Sequence, residues 1–343
     1  IPVYAQQNGS ARSEPVKEKY QEFIGNFVRH YKDRGSRIIY ETWNEPDLNN
    51  TDYWLNGDSQ TDSFIPTNNW QVDAIKAVNP DAEVAEFGLC WPYDFVNRYW
   101  STYMDSVFGK DSTRETKSID AFSWHYYSEF HGDFESGAPG RAGNWESWKR
   151  IIREALNTSQ KEYPVLATTQ QHLTEFAPAD AADSWVDQVG IIGSFYDTIS
   201  LVMEATDISR VSWCSYFTED WGLVDPYTYQ RRPIYYVLWS YAQLPMDKAA
   251  YTASGDQAGD IGVMTGVDSQ RAGVILWNRL MNEGGYGDTY DAQDEVYDNQ
   301  NARAVTLRLK NIPFDATNCK IYLIDNTHVS YSGTQNTPYI IYD

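Results

Sequence analysis

Arg37-Ile38-Ile39-Tyr40-Glu41-Thr42-Trp43-Asn44-Glu45-Pro46 is the stretch on which the reading of this chain turns. Its first seven residues are β-branched, aromatic or alternating, the composition of a strand. Asn44, Glu45 and Pro46 then end it, and Pro46 fixes the direction in which the chain leaves. A loop rich in Asn and Asp follows. A carboxylate at the C-terminal tip of such a strand, in a barrel of strands and helices, points into the face where barrels place their reacting groups.

Strand-like and helix-like segments alternate on both sides of this stretch. Ile1–Ala5 is a short apolar run, and Tyr20, Phe23, Ile24, Phe27, Val28 and Tyr31 then recur at helical spacing up to Gly35. After the 37–43 strand the pattern predicts a helix near Asn69–Val78, a strand at Ala82–Gly88, a helix at Phe95–Phe108 and a strand at Ser118–Tyr127. A helix at Asn144–Leu156, a strand at Gln171–Phe176, a helix at Ala181–Ala205, a strand at Ser209–Phe217 and a helix at Pro233–Leu244 complete the series. Strands separated by such helices imply an α/β fold with a parallel sheet. From Met246 onward helices vanish. Short strands at Ile261–Met264, Ala272–Trp277, Ala304–Leu309, Lys320–Ile324 and Thr337–Tyr342 predict an all-β sandwich. We therefore expect a (β/α) barrel domain over 1–245 and a C-terminal β-sandwich over 246–343.

Composition narrows the function. The formal net charge of −21 repels phosphate backbones and anionic lipid, which argues against nucleic acid and membrane as partners. No apolar run reaches the roughly 18 residues of a membrane helix. Aromatic residues make up 15%, with 13 Trp and 26 Tyr. Such rings either build a core or stack on the apolar faces of sugars. Cys90, Cys214 and Cys319 are too widely spaced for a metal motif or a disulfide framework and read as buried free thiols. The acidic stretch Gly284–Asn301 lacks the EF-hand spacing and reads as a solvated loop.

A second strand tip carries Leu173-Thr174-Glu175-Phe176, three βα units after Glu45. Glycoside hydrolysis needs two carboxyl groups flanking one bond, one protonated and one ionised. Glu86, Glu129, Glu219 and Asp220 are further carboxylates, but none combines a strand tip with a motif.

The Trp43-Asn44-Glu45-Pro46 and Thr174-Glu175-Phe176 motifs resemble those of clan A glycoside hydrolases, over about residues 1–245. The resemblance implies a (β/α)8 barrel, with Glu45 on strand four as acid/base, Glu175 on strand seven as nucleophile, and a retaining double displacement without metal or cofactor. A barrel followed by a sandwich is similar to glycoside hydrolase family 39, the β-xylosidase type. The agarase and porphyranase families of the clan share that layout, and a binding protein derived from a hydrolase is the reading from another class. The resemblance makes Asn44, Trp43, His125, Tyr127, Trp213, Tyr216, Trp221 and Gln7 candidates for contact with a carbohydrate substrate. Alternation places His125 and Tyr127 on one face of their strand and Tyr126 on the other. If Glu45 ends strand four, Ile1–Ala5 is strand three, and strands one and two have no counterpart, nor has the Arg that strand two often supplies. We expect an incomplete or rearranged barrel, with an unusual N-terminal edge or a second copy covering it. The start of the chain has no basic residue and no long apolar centre; a secreted or periplasmic protein is expected, with its leader not visible.

Overall fold

The computed structural model describes residues 16–34, 37–47, 60–90, 92–127, 140–177, 196, 199–200, 202–203, 205–214, 216, 222–255, 261–278, 304–315, 318–324 and 339–342. They divide into two compact units, one of residues 1–176 with 205–212 and one of residues 177–204 with 213–343.

The first unit is built on a sheet of β1 (Ile39–Glu41), β2 (Glu83–Leu89), β3 (Ala121–Tyr127), β4 (Gln170–Ala177) and β5 (Arg210–Trp213), in that spatial order. β1 pairs parallel to β2, and β2 parallel to β3. Four helices surround these strands: α1 (Lys17–Tyr31), α2 (Gln60–Val78), α3 (Pro92–Phe108) and α4 (Gly140–Ser159). Strand order equals chain order and helices make the crossovers, which is the βα repeat of a barrel. The expected first strand, Ile1–Ala5, lies outside the described residues.

α1 forms because Tyr20, Ile24 and Val28 repeat on one face. That face packs on Val72 and Ile75 of α2 and on Tyr40 and Val84 of the sheet. α2 begins nine residues earlier than the Asn69 start expected from the sequence, with Pro66 inside it. Phe64 and Ile65 are buried there, so tertiary packing outweighs the proline as a helix breaker. Phe87 of β2 is enclosed by Phe64, Phe95, Tyr103 and Phe122, with ring centroids 4.7–5.7 Å apart. Part of the aromatic excess is therefore core.

A second buried feature is polar. Glu86 and Arg114 form an ion pair with both guanidinium nitrogens engaged, Nη2 to Oε1 at 2.7 Å and Nη1 to Oε2 at 2.9 Å. The Tyr103 hydroxyl and the Asn68 amide also donate to Glu86 Oε2, at 2.6 and 2.7 Å. Glu86 is thus a structural carboxylate, consistent with its lack of a strand tip.

In the second unit, α5 (Pro233–Gln243) precedes a hairpin of β6 (Ile261–Val267) and β7 (Ala272–Asn278), paired antiparallel. Trp277 is buried beneath Tyr196, their rings 5.5 Å apart, and lies over Gly262, where an added Cβ would meet the indole at 1.8 Å. β8 (Ile321–Leu323) and β9 (Tyr339–Tyr342) make a separate antiparallel pair. The strand expected at Ala304–Leu309 is not one. Residues 304–310 have no ladder partner among the described residues, and Val305, Leu307 and Leu309 are half exposed. Alternating apolar residues mark a strand only when another backbone satisfies their N–H and C=O groups. Glu129, Glu219, Asp220 and residues 284–301 lie outside the described residues.

Of the three cysteines expected to be buried, only Cys90 is; Cys214 is half-buried and Cys319 exposed. No described helix is long and apolar enough to cross a membrane.

Candidate active site

Glu45 follows β1 in a turn that tertiary contacts hold. Thr42 ends the strand by donating its N–H to Ala85 O, while its hydroxyl donates to Asn68 Oδ1 at 2.6 Å and accepts the Phe87 N–H at 3.0 Å. The Glu45 N–H donates to Gly88 O at 2.7 Å, and the Cys90 N–H donates to Asp47 Oδ1 at 2.8 Å. The tip of β2 thus grips the turn on both sides of Pro46. Glu45 has φ +50°, a left-handed conformation that is costly for a residue with a Cβ. The opposing strand is distorted too. Phe87 has φ +93° and Gly88 φ +59°, where the β2–β3 register shifts. This bulge re-aims both backbones. Only glycine fits at 88, because a Cβ would stand 2.8 Å from Trp43 O, 3.2 Å from Glu41 Oε1 and 3.3 Å from His125 Nε2.

Three side chains meet in front of that bulge. His125 Nδ1 lies 2.9 Å from Glu45 Oε1 and 3.5 Å from Glu175 Oε2, and the three groups present atoms all within 4.8 Å of one another. His125 is fully buried, whereas Glu45 and Glu175 keep 12% and 24% of their side chains open. The carboxyls can therefore reach a solvent-borne ligand while the imidazole stays behind them. Three donors this close could share a cation, but the short imidazole–carboxylate contacts already account for them as a proton-sharing set.

Burial opposes protonation of His125. It is outweighed by the Glu45 hydrogen bond and by the charges of Glu175, Glu45 and Glu41, so the pKa rises above 6.5. A folded pKa above the unfolded value contributes stability that is complete below about pH 6.5 and is lost as pH rises through the folded value. The stability gap between the parent and His125→Gln should therefore shrink from about pH 6 to about pH 9. Urea unfolding at the two pH values measures it, and a gap that widens would contradict the assignment.

Burial first, then the charges of Glu45 and Asp47, pushes the Cys90 thiol up, so it stays protonated beside Glu45. Glu41, which the sequence did not single out, joins the site together with Thr174 of the Thr174-Glu175-Phe176 motif. The Thr174 hydroxyl donates to Glu41 Oε1 at 2.6 Å, which links the ends of β1 and β4. Glu41 keeps surface in solvent, but desolvation of its carboxyl raises its pKa, against the lowering hydrogen bonds of Thr174 and Ser123. The available signal was positional: Glu41 is on the strand that leads to Glu45, and Thr174 precedes Glu175.

Of the expected contact residues, Asn44 is exposed and Trp43 half-buried in the turn beside Glu45. Trp124 and Tyr126 are buried on the face of β3 opposite His125, as alternation requires. Tyr127 ends β3, but its side chain, like all of Gln7 and Trp221, lies outside the described residues. Trp213 and Tyr216 belong to the second unit, the first half-buried and the second exposed.

The family model described as Cellulase (glycosyl hydrolase family 5) matches residues 2–216. Among solved structures, the chain is similar to a glycoside hydrolase family 39 enzyme from Xanthomonas axonopodis pv. citri, with 18% identity over 78% of this chain and 53% of that one and a TM-score of 0.54. It is similar to a glucosidase from Croceicoccus marinus, with 15% identity over 73% of this chain and 51% of that one and a TM-score of 0.51. A bacterial orthologue of human α-L-iduronidase gives 15% identity, 73% and 45% coverage and a TM-score of 0.51. The chain spans about half the length of these structures. No curated protein matches it. These structural likenesses concern the fold, and they agree with the five parallel βα strands. The family match extends over more than half of the chain: it belongs to glycosyl hydrolase family 5, the cellulase family, within the (β/α)8 clan A of glycoside hydrolases.

Proposed function

We propose that the protein is a retaining glycoside hydrolase that cleaves β-linked plant or algal polysaccharide or oligosaccharide, with Glu45 as acid/base and Glu175 as nucleophile. The observation that carries this reading is the approach of the two carboxyls, with ligating atoms within 4.8 Å of each other. Retaining enzymes hold their carboxyls about 5 Å apart, because the nucleophile must touch the anomeric carbon while the acid touches the departing oxygen; inverting enzymes leave room for a water. In the first step Glu175 attacks the anomeric carbon and Glu45 gives its proton to the leaving oxygen. In the second, Glu45 takes a proton from water, which attacks that carbon and frees Glu175. His125, between them, holds both carboxyls in place through one nitrogen. Neither step calls for a cofactor or metal.

For the substrate, the barrel-then-β-rich order supports a β-xylosidase-like reading, with 1–245 as catalytic domain and 246–343 as a packed sandwich. The family match favours a second reading, a β-glucan of the cellulose type. Agarose and porphyran belong to the same test. A second copy over the sheet edge, and a secreted or periplasmic location, are part of the proposal. The purified chain and Glu175→Gln are incubated with aryl β-xyloside, xylan, cello-oligosaccharides, agarose and porphyran. Hydrolysis by the parent alone names the sugar. Proton NMR of the first product should show the β anomer; the α anomer would refute retention. Binding without turnover in the parent would mark a carbohydrate-binding protein instead.

A further inference from the structure

We propose that Glu41 is a third working carboxyl of this site, a positioning residue that bridges the tips of β1 and β4 through Thr174 and sets the charge on His125. The inference rests on the reading of Glu45 and Glu175 as the reacting pair. Glu41 lies four residues before Glu45, and its Oε1 accepts the hydroxyl of Thr174, the neighbour of Glu175, at 2.6 Å. The same oxygen faces Gly88, where an added Cβ would be 3.2 Å from it and 3.3 Å from His125 Nε2. That Nε2 is buried with no hydrogen-bond partner among the described residues. The imidazole is therefore flanked by carboxylates on its Nδ1 side, and Glu41 adds charge from another direction. Among the described residues, the titratable groups that act on Glu41 are His125 from β3 and Glu175 from β4, and Glu45 from the β1 turn meets the same His125. Burial of the Glu41 carboxyl opposes its ionised form, and the hydrogen bond from the Thr174 hydroxyl favours it. An ionised Glu41 holds the proton on His125, whose Nδ1 faces Glu45 at 2.9 Å and Glu175 at 3.5 Å.

The test is a pH titration of the five histidines by ¹⁵N–¹H correlation spectroscopy, with the His125 signal identified by its loss in His125→Gln. In Glu41→Gln, which keeps the shape and removes the charge, the His125 midpoint should fall by about one pH unit. His172, buried in β4 beside Glu83, should not move and serves as the internal reference. In Thr174→Val the loss of a donor should disfavour ionised Glu41, and the His125 midpoint should fall by a few tenths of a unit. A His125 midpoint that stays within about 0.2 unit of the parent in Glu41→Gln overturns the proposal and leaves Glu41 a structural brace. If Glu41→Gln does not fold, an unmoved His125 in Thr174→Val overturns it equally. The readout needs no substrate. A displaced midpoint in a chain that hydrolyses nothing would uphold the role of Glu41 and reject the glycosidase reading.

Discussion

Glu175→Ala should lower turnover by about 10³-fold or more, and azide should restore part of it. General acid–base groups alone contribute about 10²–10⁴, and a missing nucleophile removes the covalent route altogether. Azide is small enough to occupy the space left by the carboxylate. It would attack the anomeric carbon from the same side as Glu175 did, and release an α-glycosyl azide. Glu45→Ala should also be slow, most of all on substrates with poor leaving groups. There, azide would attack the glycosyl–enzyme in place of activated water and give the β-glycosyl azide. The two product configurations distinguish nucleophile from acid/base without reference to any relative. Exchanged configurations would exchange the assignments; no rescue in either variant, with both still folded, would remove the double displacement.

Arg114→Ala should destabilise the protein by about 3–5 kcal/mol, the usual cost of stranding a buried charge. Arg114 and Glu86 are closed to solvent, with side chains 0% and 1% exposed, so water cannot replace the lost guanidinium. The charge on Arg114 persists in the folded state: burial opposes it, and the neighbouring Glu86 carboxylate outweighs that cost. After the substitution, Tyr103 and Asn68 would remain as donors to Glu86, but both are neutral. The damage should reach the site, because Asn68 joins Glu86 to Thr42, and Thr42 holds the strand end three residues before Glu45. Urea unfolding measures the loss; less than about 1 kcal/mol would show that the pair is hydrated or dispensable. The double substitution Glu86→Gln with Arg114→Met should cost less than the sum of the single changes, since it leaves no uncompensated charge.

Much of the first unit was legible because its signals are short-range. Helices α1, α3 and α4 announce themselves through apolar residues three and four apart, and β2 to β4 through β-rich runs closed by turn residues. The expected helix at 69–78 starts at 60, because burial of Phe64 and Ile65 overrides the local signal of Pro66. The expected strand at 304–309 failed for the opposite reason: its alternation is present, and no described backbone pairs with it.

The site divides in the same way. By itself the sequence determined that Glu45 and Glu175 stand at strand ends and that His125 points away from Trp124 and Tyr126, since strand period and turn chemistry depend on neighbours in the chain. Tertiary structure alone decided that Glu86 is locked to Arg114, that Glu41 reaches Thr174, and that Phe87 and Gly88 bulge to hold the Glu45 turn. Those contacts join residues 28 to 133 positions apart. Their distances are set by strand stagger, the bulge and the packing of helices on the sheet, and none of these is encoded in the local spacing of residue types.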